Sequence, residues 1–479
     1  MPSRRQNAGV SLRRAVLVIW LATTMWCLPG VFVHATRGAR VAVDEPQYLL
    51  SATSLAEDLD LDIADELADE RWRTYHEADL PRQTRTLAGG REVSPHDPLL
   101  PVVLAGPMAL GGWVAAKLTL ALLAGALAAA LLWVAVTRLG IPLSRAVPAV
   151  ACFALASPFA IYATQVYPEM PGALALTIAI GAVLGRPSRR MAWLTGLTVT
   201  ALPWLSVKYA PAAGAVAAVA LWRMWTGEQR RLAGWLAGGL AVSALAFVVG
   251  HQLLYGGLTP YATGDHFAGG EFTVVGTSPD YIGRTRRLVG LLVDRNWGVA
   301  AWQPAWLLVV PALAFAVRCR PPWWMVVVLP LLAGWAMATW AALTMHGFWW
   351  SGRQTVVVLP AAVLLVAWWA PRSWTIAGIV AGASTWVWLV VDGVRERITW
   401  VVHVEDAGAP VYRMLRPLLP DLRAPAGVDE VRLVIWTAIV LALLAAGWWS
   451  AGGDEDARAG EGADADGAVR DGDRHGAIG

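Results

Sequence analysis

The sequence predicts an all-α polytopic membrane protein of about twelve transmembrane helices, with an external amphipathic helix in its first loop. Three observations predict it. Of 479 residues 57% are hydrophobic and 15% charged, where soluble domains carry about 25% charged residues, and the mean hydropathy of +0.50 excludes a soluble enzyme. Apolar stretches near the length that crosses about 30 Å of hydrocarbon recur roughly at 15–33, 113–136, 146–164, 170–185, 191–206, 209–225, 232–254, 301–317, 323–345, 355–371, 374–391 and 431–449. Arginines mark every second connection between them, as the positive-inside rule requires of cytoplasmic loops.

The first stretch follows Arg4, Arg5, Arg13 and Arg14 and lacks a small-residue cleavage site, so it reads as a membrane anchor behind a basic cytoplasmic segment, 1–14. The later cytoplasmic loops are short and carry Arg138 and Arg145, then Arg186, Arg189 and Arg190, then Arg223, Arg230 and Arg231, then Arg318 and Arg320, then Arg372. Residues 450–479 are rich in Gly, Ala and Asp without apolar periodicity and are expected to be a disordered acidic cytoplasmic tail. The transmembrane domain is then 15–449, with long external loops at 34–97, 255–300 and 392–430. Long loops on one face are where function concentrates. The expected location is the plasma (inner) membrane, multi-pass, with both termini cytoplasmic.

Charge is sparse and polarised. The net charge is +3, too near balance to suggest a nucleic-acid partner, yet loop 34–97 alone holds fourteen acids against seven Arg. Trp is over-used, at 28 against 9 Tyr and 8 Phe, and pairs such as Trp323-Trp324, Trp349-Trp350 and Trp448-Trp449 end apolar runs, which predicts interfacial belts. Cys27, Cys152 and Cys319 show neither disulfide nor metal-ligand spacing.

The sharpest local feature is Val43-Asp44-Glu45-Pro46-Gln47-Tyr48-Leu49-Leu50, just beyond the outer end of the first span. Pro46 suits the first turn of a helix with Asp44 or Glu45 near its cap, and Leu49, Ala52, Leu55 and Leu59 follow at helical spacing, which gives a surface helix with acids at its start. The run Asp58, Asp60, Asp62 has Ile63 where a calcium loop demands glycine, so it reads as a charged helix face.

The same segment, the run into Leu55-Ala56-Glu57-Asp58-Leu59-Asp60-Leu61-Asp62, Pro95-His96-Asp97-Pro98-Leu99-Leu100 before an apolar half-span, Gln165-Val166-Tyr167-Pro168-Glu169, Val207-Lys208-Tyr209-Ala210-Pro211, Asp294-Arg295-Asn296-Trp297-Gly298 and Gly352-Arg353 together resemble the GT-C superfamily of polytopic glycosyltransferases, of the aminoarabinose-transferase and protein-mannosyltransferase type, over most of residues 1–370. The resemblance implies transfer of a sugar from a polyprenyl-phosphate donor to an envelope acceptor, whether lipid, polysaccharide or protein, at the external face. It implies Asp44 as the general base, with Glu45 beside it and Glu169 as the second acid. Arg353, Lys208 and Arg295 would hold the donor phosphate, and Tyr48, His96 and Tyr167 would line the substrate. Any divalent metal ion would sit between Asp44 and Glu169, since some members use a metal and others none. One departure stands out: close relatives of the lipid A branch often carry Lys in the first loop where this chain has His96-Asp97.

Those residue types suit the chemistry. A hydroxyl or amine attacking an anomeric carbon must lose a proton to a base within about 3 Å, and the departing phosphate gathers charge that Arg or Lys stabilises strongly at the edge of a low-dielectric slab. The alternative is a twelve-span transporter or lipid-linked-sugar flippase. Carriers place ionisable groups near the bilayer midplane and often show internal repeats, whereas here the charges cluster at one surface and no duplication is evident.

Overall fold

The computed structural model describes residues 2–401 and 404–472, with side chains from 11 to 451 apart from 402 and 403. Each of the twelve expected stretches is mainly helical, with breaks at 155–158 and from 342 on, and the described residues contain no strand, only isolated bridges. The chain is a polytopic membrane protein. Its helices, labelled here in chain order, are α1 Pro2–Cys27, α2 Glu45–Glu57, α3 Ala64–Ala68, α4 Leu99–Thr137, α5 Leu143–Ala154, α6 Phe159–Tyr162, α7 Glu169–Val183, α8 Arg189–Leu205, α9 Ala210–Thr226 and α10 Arg230–Tyr255. After short turns in the second long loop come α11 Val309–Cys319, α12 Trp324–Ala336, α13 Leu359–Trp369, α14 Arg372–Val394 and α15 Gly427–Gly472. The tail expected at 450–479 falls, past Ala451, outside the residues whose side chains are described, and from 473 outside the described residues altogether.

Among the described residues six apolar segments have 18 residues or more: Ser11–Phe32, Leu99–Thr137, Arg230–Thr263, Trp324–Ala341, Arg372–Val394 and Gly427–Ala451. The others are shorter, and the reason is where they pack. Apart from its two C-terminal tryptophans every residue of α13 is buried, and so are twelve of the fifteen in α7. Interior helices are sheathed by protein, so their ends need not reach a lipid headgroup. By contrast the apolar windows of α10 and α15 are only 11% and 6% buried and face outward.

Helix α4 has 39 residues, about 58 Å at 1.5 Å per residue, nearly twice the hydrocarbon thickness. It is broken where the sequence allows it, at Gly111 and Gly112, the latter with φ 60° and ψ −153°, a conformation closed to other residues. The spanning part therefore begins at Trp113, where the hydropathy places it, and Leu99–Leu110 forms the separate half-span. Helix α2 is sunk into the molecule more deeply than a surface helix, with residues 45–52 buried and α4 packed along it.

Tryptophan behaves differently from the expected belts. Trp193, Trp235 and Trp449 are exposed as expected, but Trp302, Trp306, Trp350, Trp386 and Trp400 are fully buried. Trp302 stacks on Tyr412 at 3.9 Å, and Trp386 stacks on Trp400 at 5.8 Å. Each buried indole N–H finds an acceptor, as with Trp350 donating to Ser157 Oγ at 2.7 Å and Trp400 donating to the Gly30 carbonyl at 3.3 Å, so these rings knit the third long loop onto the bundle.

Candidate active site

Asp44 stands at the N-cap of α2, yet its side chain caps nothing in that helix. The chain enters through Val43 at φ 61°, a strained value for a β-branched residue, and the turn leaves the Asp44 carboxylate aimed away from its own helix. Its partner is Arg353, from the segment between α12 and α13, at 2.5 Å. Arg353 follows Gly352, whose φ of 80° and close approach to Val299, 2.8 Å from any Cβ placed there, admit only glycine. The same guanidinium turns its Nε toward Glu169 at 3.5 Å and lies over Tyr167 at 4.2 Å and Trp349 at 5.0 Å.

Glu169 is the first residue of α7, where a carboxylate suits the helix dipole. It is fully buried and accepts from Lys208 Nζ at 2.8 Å. Lys208 rides on a single 3-10 turn between α8 and α9. Two carboxylates and two cations from four distant segments thus meet in one cluster whose formal charges cancel. Buried charge is tolerable only in such balance. Tyr48, one turn into α2, stacks on His96 at 4.5 Å and meets Tyr167 edge-on at 6.5 Å, so all three expected substrate residues line this cluster.

Polar capacity is left over. Glu169 Oε2, the Tyr167 hydroxyl and His96 Nε2 are buried without a hydrogen-bond partner. Each such atom costs about 1–3 kcal/mol, and a concentration of them marks a place where a ligand supplies the missing partners. Access is available, since the side chains of Asp44 and Lys208 are 18% and 16% exposed. Electrostatics follow the packing. Burial alone would raise the Asp44 carboxyl, but Arg353, His96 and Lys208 together outweigh it and hold it down at about 2. Burial lowers His96, and the nearby Asp44 carboxylate opposes that fall.

Glu45 is adjacent to Asp44 but points elsewhere. Its two oxygens accept from the backbone N–H of Val166 at 2.6 Å and of Ala42 at 3.0 Å, so it ties the first long loop to the turn before Glu169. Burial raises its carboxyl, and the charge of Lys117 in α4 opposes that rise. Glu45 is therefore a positioning residue here, held out of contact with the Arg353 guanidinium. Arg295 is also elsewhere: it pairs with Asp429 at 3.2 Å and Asp421 at 3.6 Å and donates to the Leu419 carbonyl, bracing the third long loop. For a divalent metal the two carboxylates foreseen, Asp44 and Glu169, already share Arg353, and Glu169 has Lys208 besides. As arranged, this donor set fits a bridging guanidinium rather than a metal ion.

One part of the site escapes sequence reasoning. Asp97 is buried, pairs with His251 of α10 at 2.9 Å and accepts from the backbone N–H of Val207 at 3.0 Å, so it anchors the turn that carries Lys208. The other ring nitrogen of His251 faces the Phe247 carbonyl at 2.9 Å. Tyr255, one turn further along α10, donates to the His96 carbonyl at 2.8 Å. The available signal was a lone histidine inside an apolar span.

No family model matches the chain, and no curated protein matches it. Among solved structures, the chain is similar to the crystal structure of ArnT from Cupriavidus metallidurans bound to undecaprenyl phosphate, over 92% of this chain and 77% of that one, at 13% identity and a TM-score of 0.48.

Proposed function

We propose that the protein is a glycosyltransferase that moves a sugar from a polyprenyl-phosphate donor to an acceptor at the external face of the membrane. The observation that carries the reading is the cluster itself: Arg353 held between Asp44 and Glu169, with Lys208 on Glu169 and unpartnered polar atoms around them. The helix count supports the external face: with a cytoplasmic N-terminus every member of the cluster would fall on the outer side, in connections that carry none of the loop arginines expected to mark the inner side.

The reaction is a single displacement. The acceptor hydroxyl or amine attacks the anomeric carbon, the bond from that carbon to the phosphate oxygen breaks with its electron pair going to the phosphate, and the nucleophile's proton goes to Asp44. The anomeric centre inverts. A carboxylate paired with arginine is a weak base, so the donor phosphate has a second task. As it draws Arg353 toward itself, Asp44 loses its main counter-charge in a buried position and becomes basic enough to take a proton. Lys208 then supports the leaving phosphate together with Arg353, while Tyr48, His96 and Tyr167 line the sugar.

The test replaces Asp44 by Asn, verifies insertion, and follows sugar transfer from polyprenyl-phosphate sugars in vesicles. Transfer at the wild-type rate overturns the role of Asp44. The transporter alternative has no comparable support, because the ionisable groups inside α4 and α10 are tied down: Lys117 donates to the Arg40 carbonyl at 2.8 Å and His251 is paired as above.

A further inference from the structure

The first external loop contains a second cluster that the transfer chemistry does not use. Asp58 caps the C-terminal end of α2, and Asp65 and Glu66 lie in α3. One carboxylate oxygen from each lies within 4.8 Å of the others. That is the spread of ligands about 2.4 Å from a common centre, the bond length of calcium to oxygen. Asp58 and Asp65 are exposed, as acids on a charged helix face should be.

Glu66 is the anomaly. It is 2% exposed, and neither of its carboxylate oxygens has a hydrogen-bond partner. The Tyr75 hydroxyl is also buried and unpartnered, and it feels the Glu66 charge. The cation nearest in influence, Arg71, has its guanidinium on Glu57 at 2.5 Å. A buried carboxylate among like charges must either keep its proton or gain a cation.

We propose that Asp58, Asp65 and Glu66 form a binding site for a hard divalent cation, calcium first among them, that staples the end of α2 to α3. Three carboxylates supply oxygen ligands only, which selects calcium or magnesium over softer metals. The two exposed aspartates leave one side open for water to complete the six to eight ligands that calcium takes. The site differs from the calcium loop that Ile63 rules out. Asp60 Oδ1 accepts from Ser54 Oγ and the Asp62 N–H, and Asp62 Oδ1 accepts from the backbone of Ala64 and Glu92, so those two acids serve the backbone.

The experiment uses the full chain in detergent micelles, stripped with EDTA, and titrates terbium with tryptophan excitation. Trp72, in the turn packed against α3, is placed to sensitise a bound lanthanide. Wild type should give saturable terbium emission that calcium displaces, and calcium should raise the thermal midpoint. Glu66→Gln should weaken the saturable component at least tenfold, Asp65→Asn should weaken it while leaving Glu66 in place, and Asp79→Asn, a fully exposed control, should leave it unchanged. Wild-type emission equal to that of both site variants, or a midpoint that calcium does not move, overturns the proposal and leaves Glu66 as a protonated buried acid. If Glu66→Gln alone fails to fold, the comparison of Asp65→Asn with Asp79→Asn decides the same question.

Discussion

Asp44→Asn is expected to do two opposite things, and the opposition makes it informative. Arg353 is held by Asp44 at 2.5 Å, so a donor phosphate must compete with that carboxylate for the same guanidinium. Two anions sharing one guanidinium lie about 4–5 Å apart, where an effective dielectric of 20 gives about 3–4 kcal/mol of repulsion. Asp44 is partly exposed, and relaxation with water returns about half of this, leaving about 1–2 kcal/mol. The Asn variant should therefore bind polyprenyl phosphate about five- to thirtyfold more tightly. Transfer should fall by about 100- to 10,000-fold, the usual contribution of a general base. Folding should survive, since Arg353 keeps Glu169 at 3.5 Å as an anionic neighbour. Binding is read by native mass spectrometry or fluorescence quenching with undecaprenyl phosphate, and transfer in reconstituted vesicles. Weaker phosphate binding in Asp44→Asn refutes the competition, and unchanged transfer refutes the base.

Four further outcomes follow from the same geometry. The Asp44 carboxyl is held below its unfolded value, so its stabilising pair is fully present above about pH 4 and lost as pH falls toward about 2; the wild-type advantage in thermal midpoint over Asp44→Asn should be flat from pH 7 to pH 5 and vanish on the acid limb. Glu45→Gln keeps one acceptor for the two amides of Ala42 and Val166 and should cost about 1–3 kcal/mol, seen as a lowered unfolding midpoint. Asp97→Asn removes the charge facing His251 and should cost about 3 kcal/mol, with weaker phosphate binding through the displaced Lys208 turn. Arg295→Ala should loosen the third long loop to protease while leaving undecaprenyl-phosphate affinity within about twofold, because its partners are Asp421 and Asp429.

The helical plan was legible because each span carries its own apolar run and the arginines mark alternate connections. The break in α4 was legible too, since Gly111-Gly112 sits where the half-span meets the span. What the one-dimensional pattern could not supply was which charges meet. Arg295 and Arg353 each stand in a polar connection next to a Trp-rich segment, and the difference lies in Asp421 and Asp429, more than a hundred residues beyond Arg295. Glu45 and Asp44 look equivalent as neighbours, yet successive side chains at a helix start point in different directions, and only Glu45 meets the backbone of Val166. The tryptophans misled for a related reason: an indole suits an interface and a buried stack equally well, and in the third long loop and the connection before it the stack wins.

The long sequence separations within the Asp44 cluster also set an order on the protein's biosynthesis. Asp44 is made 309 residues before Arg353, and Glu169 before Lys208. Until Arg353 is made, Asp44 lacks the guanidinium that it faces in the folded chain. The pocket closes only once α12 and α13 have been inserted and Arg353 arrives between them. A nascent or truncated chain ending before that point lacks the main counter-charge of Asp44, which makes Arg353 the residue whose arrival completes the site.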